Sequence, residues 1–380
     1  MVNKYEERLG TERMLPLVFR MALPAVAAQF VNLLYSIVDR IYIGHIPGIG
    51  TEALAGVGVT ISLVVLISSF SAIVGGGGAP LAAIALGQGD RQRAGKILGN
   101  GFILLILFTI LTSSITYTFM EPILLFTGAS EHTLGYAVDY LSIYLLGTIF
   151  VEISTGLNSF INAQGRPAIA MGSVLIGAFL NIILDPIFIF GWFGLPRMET
   201  AGAALATVIG QFMGCLAGMV INKKWNPEIP FAFTLKPDWV SVREIIKVGF
   251  PSTLVQILTS VVNTAMNAII ITFSSTAVAA FGVCTKIQNI TTVGVHGITN
   301  GLIPIVAYNY GAKQKERIRQ SIRYGILYGG GLFLIFFAVL EFCPGVVLKL
   351  FDASDNLMRI GVPALRILAV AYLLSIPGLI

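Results

Sequence analysis

Residues 97–119 read ILGNGFILLILFTILTSSITYTF, an apolar run without a single charged side chain. A helix rises about 1.5 Å per residue, so about 20 such residues cross a hydrocarbon core of roughly 30 Å. Comparable runs recur along the 380-residue chain, which is 56% hydrophobic and only 11% charged. Soluble domains carry about 25% charged residues. Because the runs are too long and too uniform for barrel strands, the sequence predicts an all-α, polytopic transmembrane protein.

The apolar runs and the polar segments between them predict ten membrane-spanning helices. Of the 24 Lys and Arg residues, 18 fall in the segments that are cytoplasmic if the N-terminus is inside, and three fall in the outer loops. This distribution predicts a multi-pass protein of the cell (inner or plasma) membrane with a cytoplasmic N-terminus. It also explains the net charge of +5 without nucleic-acid binding. The predicted spans are 15–46, 54–80, 97–119, 134–162, 168–192, 201–222, 244–273, 277–305, 322–343 and 359–380.

An internal repeat relates the two parts of the chain. Pro24 recurs as Pro251, and the stretch 80–87, which begins with Pro and ends with Gly, recurs 224 residues later as 304–311. An even number of spans separates the copies, which predicts a parallel repeat with its axis along the membrane normal.

The repeat predicts three regions. Residues 1–222 form an N-terminal lobe of six helices, residues 223–243 form a cytoplasmic linker, and residues 244–380 form a C-terminal lobe of four helices. We therefore expect a chain that lacks two of twelve helices, through either truncation or an incomplete gene product.

Polar residues inside three spans suggest one binding site. Asp39 shares a helix face with Tyr35 in the first span, Asp185 follows Asn181 by one turn in the fifth, and Thr207 lies in the sixth. Ionisable groups inside a membrane are costly and are usually functional. At about 1.5 Å per residue, the acids and Thr207 all lie roughly 9–10 Å below the outer surface. Groups at one depth on separate helices can form one cation site.

A structural role for the acids stays open at this stage. Asp39 could pair with Arg40 or reach the interface, and Asp185 could cap its helix near Gly191. Adjacent residues point about 100° apart on a helix, which disfavours an Asp39–Arg40 pair.

The second part of the chain has a polar stripe in its first span but no acid there. Gln256, Asn263 and Asn267 lie in that span, and Lys286 lies in the next one. The stripe fits either interhelical hydrogen bonding or the lining of a cleft, and Lys286 is a further candidate for the cleft. The sequence has no nucleophile–base constellation and no His or Cys ligand spacing, so we expect neither an enzyme nor a cofactor.

Four stretches resemble the multidrug and toxic compound extrusion (MATE) transporters, in particular their bacterial MepA-like and DinF-like branch. They are LYSIVDRIYIG (34–44), NIILDPIFIFG (181–191), GAALATVIGQ (202–211) and PIVAYNYGAK (304–313). The resemblance implies two six-helix lobes around a central cleft. It also implies the export of lipophilic organic cations by antiport with H⁺ or Na⁺ through alternating access.

The resemblance also assigns roles to residues. It implies a cation site of Asp39, Asn181, Asp185 and Thr207, with Tyr140 and Asn158 in the surrounding network. Pro24 is the candidate hinge of the first span. We expect a monomer that binds small cationic substrates and lipid. The alternatives are a flippase for lipid-linked precursors of the same superfamily and a non-transporting membrane fragment or scaffold.

Overall fold

The computed structural model describes residues 4–225, 237–270, 272–273, 275–349 and 355–378. Most of these residues are helical. A π-helical turn, Val74–Gly78, joins α3 to α4. The helices are α1 Lys4–Thr11, α2 Met14–Gly44, α3 Gly50–Ile73, α4 Ala79–Gly87, α5 Arg91–Thr118, α6 Met120–Phe126, α7 Glu131–Ala163, α8 Pro167–Phe190, α9 Glu199–Trp225, α10 Trp239–Ile270, α11 Ser275–Gly311, α12 Lys315–Phe342, α13 Pro344–Lys349 and α14 Asp355–Ser375.

Nine helices in the described part of the chain are long and apolar enough to cross a membrane. They are α2, α3 with α4, α5, α7, α8, α9, α11, α12 and α14, and each matches a predicted span to within seven residues at either end. The remaining predicted span, 244–273, coincides with α10, several of whose side chains lie outside the described residues. The prediction of an all-helical, polytopic protein is confirmed.

Local signals explain where two of the site helices begin and end. α7 begins after Ser130, whose backbone N–H donates to the Thr133 hydroxyl at 2.9 Å in a capping box. α8 begins at Pro167, a residue suited to a first turn because its missing N–H would have no partner there. It ends at Phe190 and is capped by Gly191, which adopts the left-handed conformation at φ 74°.

The helix pattern repeats along the chain. α5, α6 and α7 each begin 224 residues before α12, α13 and α14, respectively. The short helices α6 and α13 were not predicted from the sequence. Below, the first half denotes residues 4–225 and the second half residues 237–378. The lobe boundaries proposed from the sequence stay a prediction.

The two halves pack together at the end of the bundle that carries the N-terminus. One buried cluster joins Met14 and Met21 of α2 to Ile305 of α11. A second cluster joins the α4–α5 region to Ile245 of α10 and Ala307 of α11. Both clusters are apolar and contain residues of both halves, so this end of the structure is closed.

Two glycines allow the halves to approach closely at this end. A Cβ atom at Gly87 would overlap the carbonyl oxygen of Tyr308, and one at Gly311 would overlap that of Ile84. Gly87 and Gly311 are 224 residues apart, and so are Ile84 and Tyr308. The contact therefore has the two-fold pseudo-symmetry that a parallel repeat produces.

Candidate cation-binding site

Four predicted residues come together where α2, α8 and α9 meet in the first half. The Asn181 side-chain amide donates to Oδ1 of Asp185 and to the Thr207 hydroxyl, both at 3.2 Å. Asp185 and Asn181 are 0% and 2% exposed, and Asp39 is 9% exposed. Asp39 and Asp185 interact electrostatically. Asn181 and Asp185 share a face of α8 because they are four residues apart.

Three oxygen atoms of this group are left without partners. Among the described residues, no hydrogen-bond donor reaches Oδ1 of Asp39, Oδ1 of Asn181 or Oδ2 of Asp185, although all three atoms are buried. Buried polar atoms are nearly always hydrogen-bonded. Unpaired carboxylate and amide oxygens fit a proton or a hard cation such as Na⁺, for which oxygen is the preferred ligand.

A cavity of about 180 Å³ opens beside these residues and is here called the acid cavity. Tyr35, Asp39, Tyr140 and Thr207 line it, whereas Asn181 and Asp185 lie outside its lining. Tyr140 stacks on Tyr144 with ring centroids 5.9 Å apart. The predicted neighbours Tyr35 and Tyr140 therefore lie at the acid pair.

A second cavity, of about 270 Å³, adjoins the first and is here called the amide cavity. Tyr35, Val151 and Gln211 line both cavities, and the Tyr35 hydroxyl forms a hydrogen bond with the Gln211 side chain. Among the described residues, the lining of the amide cavity carries amides and hydroxyls and no charged side chain; its amide-bearing residues are Gln29, Asn32, Asn158, Asn162, Gln211 and Asn300.

Asn158 lies in the amide cavity rather than beside the acids. Its Oδ1 accepts a hydrogen bond of 2.8 Å from the Ser173 hydroxyl of α8. Asn300, from α11 of the second half, also lines this cavity and was not predicted. It could have been found by the polar-residue criterion, since it lies within the predicted span 277–305.

The other predicted residues lie elsewhere. Gln256 and Lys286 are exposed on α10 and α11. The side chains of Asn263 and Asn267 lie outside the described residues. Pro24 lies inside α2, which continues unbroken from Met14 to Gly44.

The structural alternatives for the two acids differ in how the contacts of each acid bear on them. The C-terminal cap of α8 is formed by Gly191, whose N–H donates to the Ile187 carbonyl oxygen. Asp185 instead accepts a hydrogen bond from the Asn181 side chain. Arg40 is exposed, lines the acid cavity and interacts electrostatically with the buried Asp39, so an Asp39–Arg40 pairing stays open.

Glu152 of α7 is a buried acid that the sequence reasoning missed. It is 1% exposed, and its Oε1 accepts a hydrogen bond of 2.8 Å from the Ser68 hydroxyl of α3. No donor among the described residues reaches its Oε2. Glu152 lies within the predicted span 134–162, so the criterion that selected Asp39 would have found it.

Comparison with known proteins points to one family. The MatE family profile matches residues 24–187 and 251–380, two ranges that begin at the prolines of the predicted repeat. Multidrug export protein MepA of Staphylococcus haemolyticus is 25% identical over 355 residues, which cover 93% of this chain and 77% of that protein. The FAD transporter of Shewanella oneidensis is 26% identical over 328 residues, 86% of this chain and 71% of that protein.

A solved structure has the same fold. A crystal structure of MATE in the bent conformation matches this chain with a TM-score of 0.91. The match covers 100% of this chain and 83% of that one, at 23% sequence identity. At that identity the likeness shows the fold alone.

Proposed function

The chain belongs to the MatE family of membrane transporters, and on that premise we propose that it is a secondary active multidrug exporter. In this proposal, lipophilic organic cations leave in exchange for H⁺ or Na⁺. The observation that carries it is the buried pair Asp39 and Asp185, each with an oxygen atom that no donor in the described part of the chain satisfies. Binding of a cation would lower the free energy of such a pair.

The coupling ion binds between these carboxylates. Two carboxylates near each other in a low-dielectric site repel, so one proton or one Na⁺ relieves both the repulsion and the missing hydrogen bonds. Asn181 holds Asp185 and Thr207 in place through its two donated hydrogen bonds. Its own free Oδ1 is the third acceptor, which would serve Na⁺ and not H⁺.

Alternating access, in this proposal, requires the packed end of the bundle to open. With the N-terminus in the cytoplasm, the packed end is the inner end, and the acid pair lies towards the outer end of α2. The guanidinium of Arg317 on α12 donates to the Leu9 and Glu12 carbonyl oxygens of the N-terminal segment at 2.9 and 3.0 Å. These bonds and the two apolar clusters break when the inner end opens.

Charge favours a cationic substrate over an anionic one. Asp39 lines the acid cavity, where Arg40 is the opposing base. Arg366 is 3.8 Å from Glu341, and Lys286 is exposed. A site for a lipid-linked anionic precursor needs several free basic groups. FAD, the substrate in the name of one relative, is also anionic. The same charge argument therefore disfavours both anionic substrates, a lipid-linked precursor and FAD.

Exchange in liposomes tests the proposal. The purified 380-residue chain is reconstituted, and movement of the lipophilic cation ethidium is followed under a pH gradient and, separately, under a Na⁺ gradient. We expect one gradient to drive ethidium against its own gradient. Asp39→Asn should lower this exchange at least about fivefold, because couplings between sites are typically 1–3 kcal/mol. Glu131→Gln, at an exposed acid in the first turn of α7, is the control.

Each other outcome has a clear meaning. Undiminished exchange in Asp39→Asn would contradict the coupling role of the acid pair. Movement of FAD without movement of ethidium would favour the anionic substrate. Movement of neither, by a protein that elutes as a single folded species, would favour a flippase or a non-transporting fragment.

A further inference from the structure

Glu152 lies apart from the acid pair and has its own environment. It is on α7, twelve residues beyond Tyr140, which places it roughly 18 Å further along the helix axis. Ser68 of α3 supplies its one hydrogen bond, at 2.8 Å, and its Oε2 has no donor among the described residues. An ionised carboxylate with one donor and no cation is costly to bury. The arrangement suits a neutral carboxylic acid.

Charged groups on the surrounding helices lie away from Glu152. In the described structure, the titratable side chain that interacts with it electrostatically is Tyr144, two turns earlier in α7. α8 contributes Asp185 of the cation site, and α11 contributes Lys286 and His296, both exposed. The charged residues of α3, α5 and α9 lie within six residues of a helix end; they are Glu52, Arg91, Arg93, Lys96, Glu199, Lys223 and Lys224.

The partner of Glu152 is next to a contact between the two halves. The residue after Ser68 is Ser69, whose carbonyl oxygen accepts a hydrogen bond of 2.8 Å from the Thr253 hydroxyl of α10. Ser69 and Thr253 are 1% and 3% exposed. α10 therefore holds α3 at the position where Ser68 meets Glu152, as long as this end of the bundle is closed.

We propose that Glu152 is a second proton-binding site, whose protonated form stabilises the closed interface between α3 and α10 through Ser68. When Glu152 loses its proton, the carboxylate needs further donors. Ser154 and Thr155 of the same helix line the amide cavity. If α3 and α10 moved together away from α7, water from the amide cavity would reach the Glu152 carboxylate. Loss of the proton thus favours opening of the packed end. This second step depends on the alternating access proposed above, whereas proton binding itself does not.

Infrared difference spectroscopy tests proton binding without requiring transport. The 380-residue chain in lipid is stepped between acidic and basic pH, and the C=O stretching band of protonated carboxyl groups is recorded. We expect Glu152→Gln to remove one component of this band and Asp39→Asn to leave that component in place. Ser68→Ala should shift the component to higher wavenumber, because the C=O group loses a hydrogen bond. Identical spectra for the wild type and Glu152→Gln would overturn the proposal.

Cysteine labelling tests the link to the interface. Val242 is buried in the cluster that joins the halves, so Val242→Cys is introduced after Cys215, Cys284 and Cys343 have been replaced. We expect its labelling by a water-soluble maleimide, relative to a protein that keeps only the exposed Cys343, to rise as pH rises. Glu152→Gln should remain slow at every pH, while the control Glu131→Gln should follow the parent. A rise that survives in Glu152→Gln would refute the link even if ethidium exchange is observed.

Discussion

Replacing Gly87 by Ala places one methyl group in a tight backbone contact between the halves. Beyond its overlap with the Tyr308 carbonyl oxygen, the added Cβ would lie 2.9 Å from the Tyr308 carbonyl carbon and 3.1 Å from the Ala312 nitrogen. Carbon atoms in contact prefer about 3.5–4.0 Å. The halves must therefore separate by at least about 0.6 Å here. The obstacle is helix backbone and not the end of a flexible side chain, so local adjustment will not relieve it.

The cost of this substitution falls on the closed state alone. Overpacking by a methyl group costs typically 1–3 kcal/mol. In the open state Gly87 no longer faces Tyr308, so the added methyl group meets no such overlap there. We therefore expect the ratio of closed to open molecules to fall by about 5- to 150-fold. Gly311→Ala should act in the same way through Ile84.

Distances between spin labels measure this ratio. Gln88 and Lys315 are exposed residues at the packed end, one from each half, and each is labelled through an introduced cysteine in a cysteine-free background. We expect Gly87→Ala to add a longer-distance population. Gly331→Ala in α12 is the matched control, because a Cβ there meets no atom within 4 Å. An unchanged distribution in Gly87→Ala, or an equal change in Gly331→Ala, would refute the reasoning.

Two further predictions concern polar anchors at the packed end. The Ser241 hydroxyl donates to Asp238 at 2.7 Å and holds the pKa of this N-terminal cap of α10 below its ordinary value. The cap therefore stabilises α10 above the ordinary carboxyl range and is lost as pH falls through the lowered pKa. Protection of the Val240 amide from hydrogen exchange, taken relative to the intrinsic exchange rate at each pH, should fall on acidification, and Asp238→Ala should remove that pH dependence. Arg317→Ala, which removes two hydrogen bonds to α1 and the residue after it, should speed tryptic cleavage at Arg13. Cleavage as slow as in the exposed control Arg319→Ala would contradict this.

The membrane fold was predictable because its main signal is local. A run of about 20 apolar residues is read from the sequence without knowing what it packs against. The ends of the helices were less predictable, because several helices extend beyond the apolar run. α12, for example, begins at Lys315, whereas the predicted span begins at residue 322. α6 and α13 have seven and six residues, which is too short for an apolar period to be recognised.

The grouping of the candidate site residues was predictable to the extent that helix geometry fixes depth. Counting residues from the ends of the spans placed Asp39, Asp185 and Thr207 at one level, and hydrogen bonds from Asn181 now join two of them. Asn158 entered the prediction through resemblance alone. It lies 18 residues after Tyr140 on α7, roughly 27 Å along the axis, so one site cannot contain both. The contact of Gly87 with Tyr308 joins residues 221 apart, and no local pattern predicts such a pairing.

The proposed coupling requires that the cation bind the two proposed states with different affinities. The atoms left without partners at the acid pair all belong to the first half, while the contacts that close the packed end join both halves. A change at the acid pair must therefore reach the packed end through a helix that extends between the two. α2 connects Asp39 to Met14 and Met21 over its unbroken 31 residues, about 45 Å. α3 connects the wall of the acid cavity to Ser69 and Thr253. Substitutions at Pro24 in α2 or Ser68 in α3 should therefore separate cation binding from transport, because both leave the ligand atoms intact.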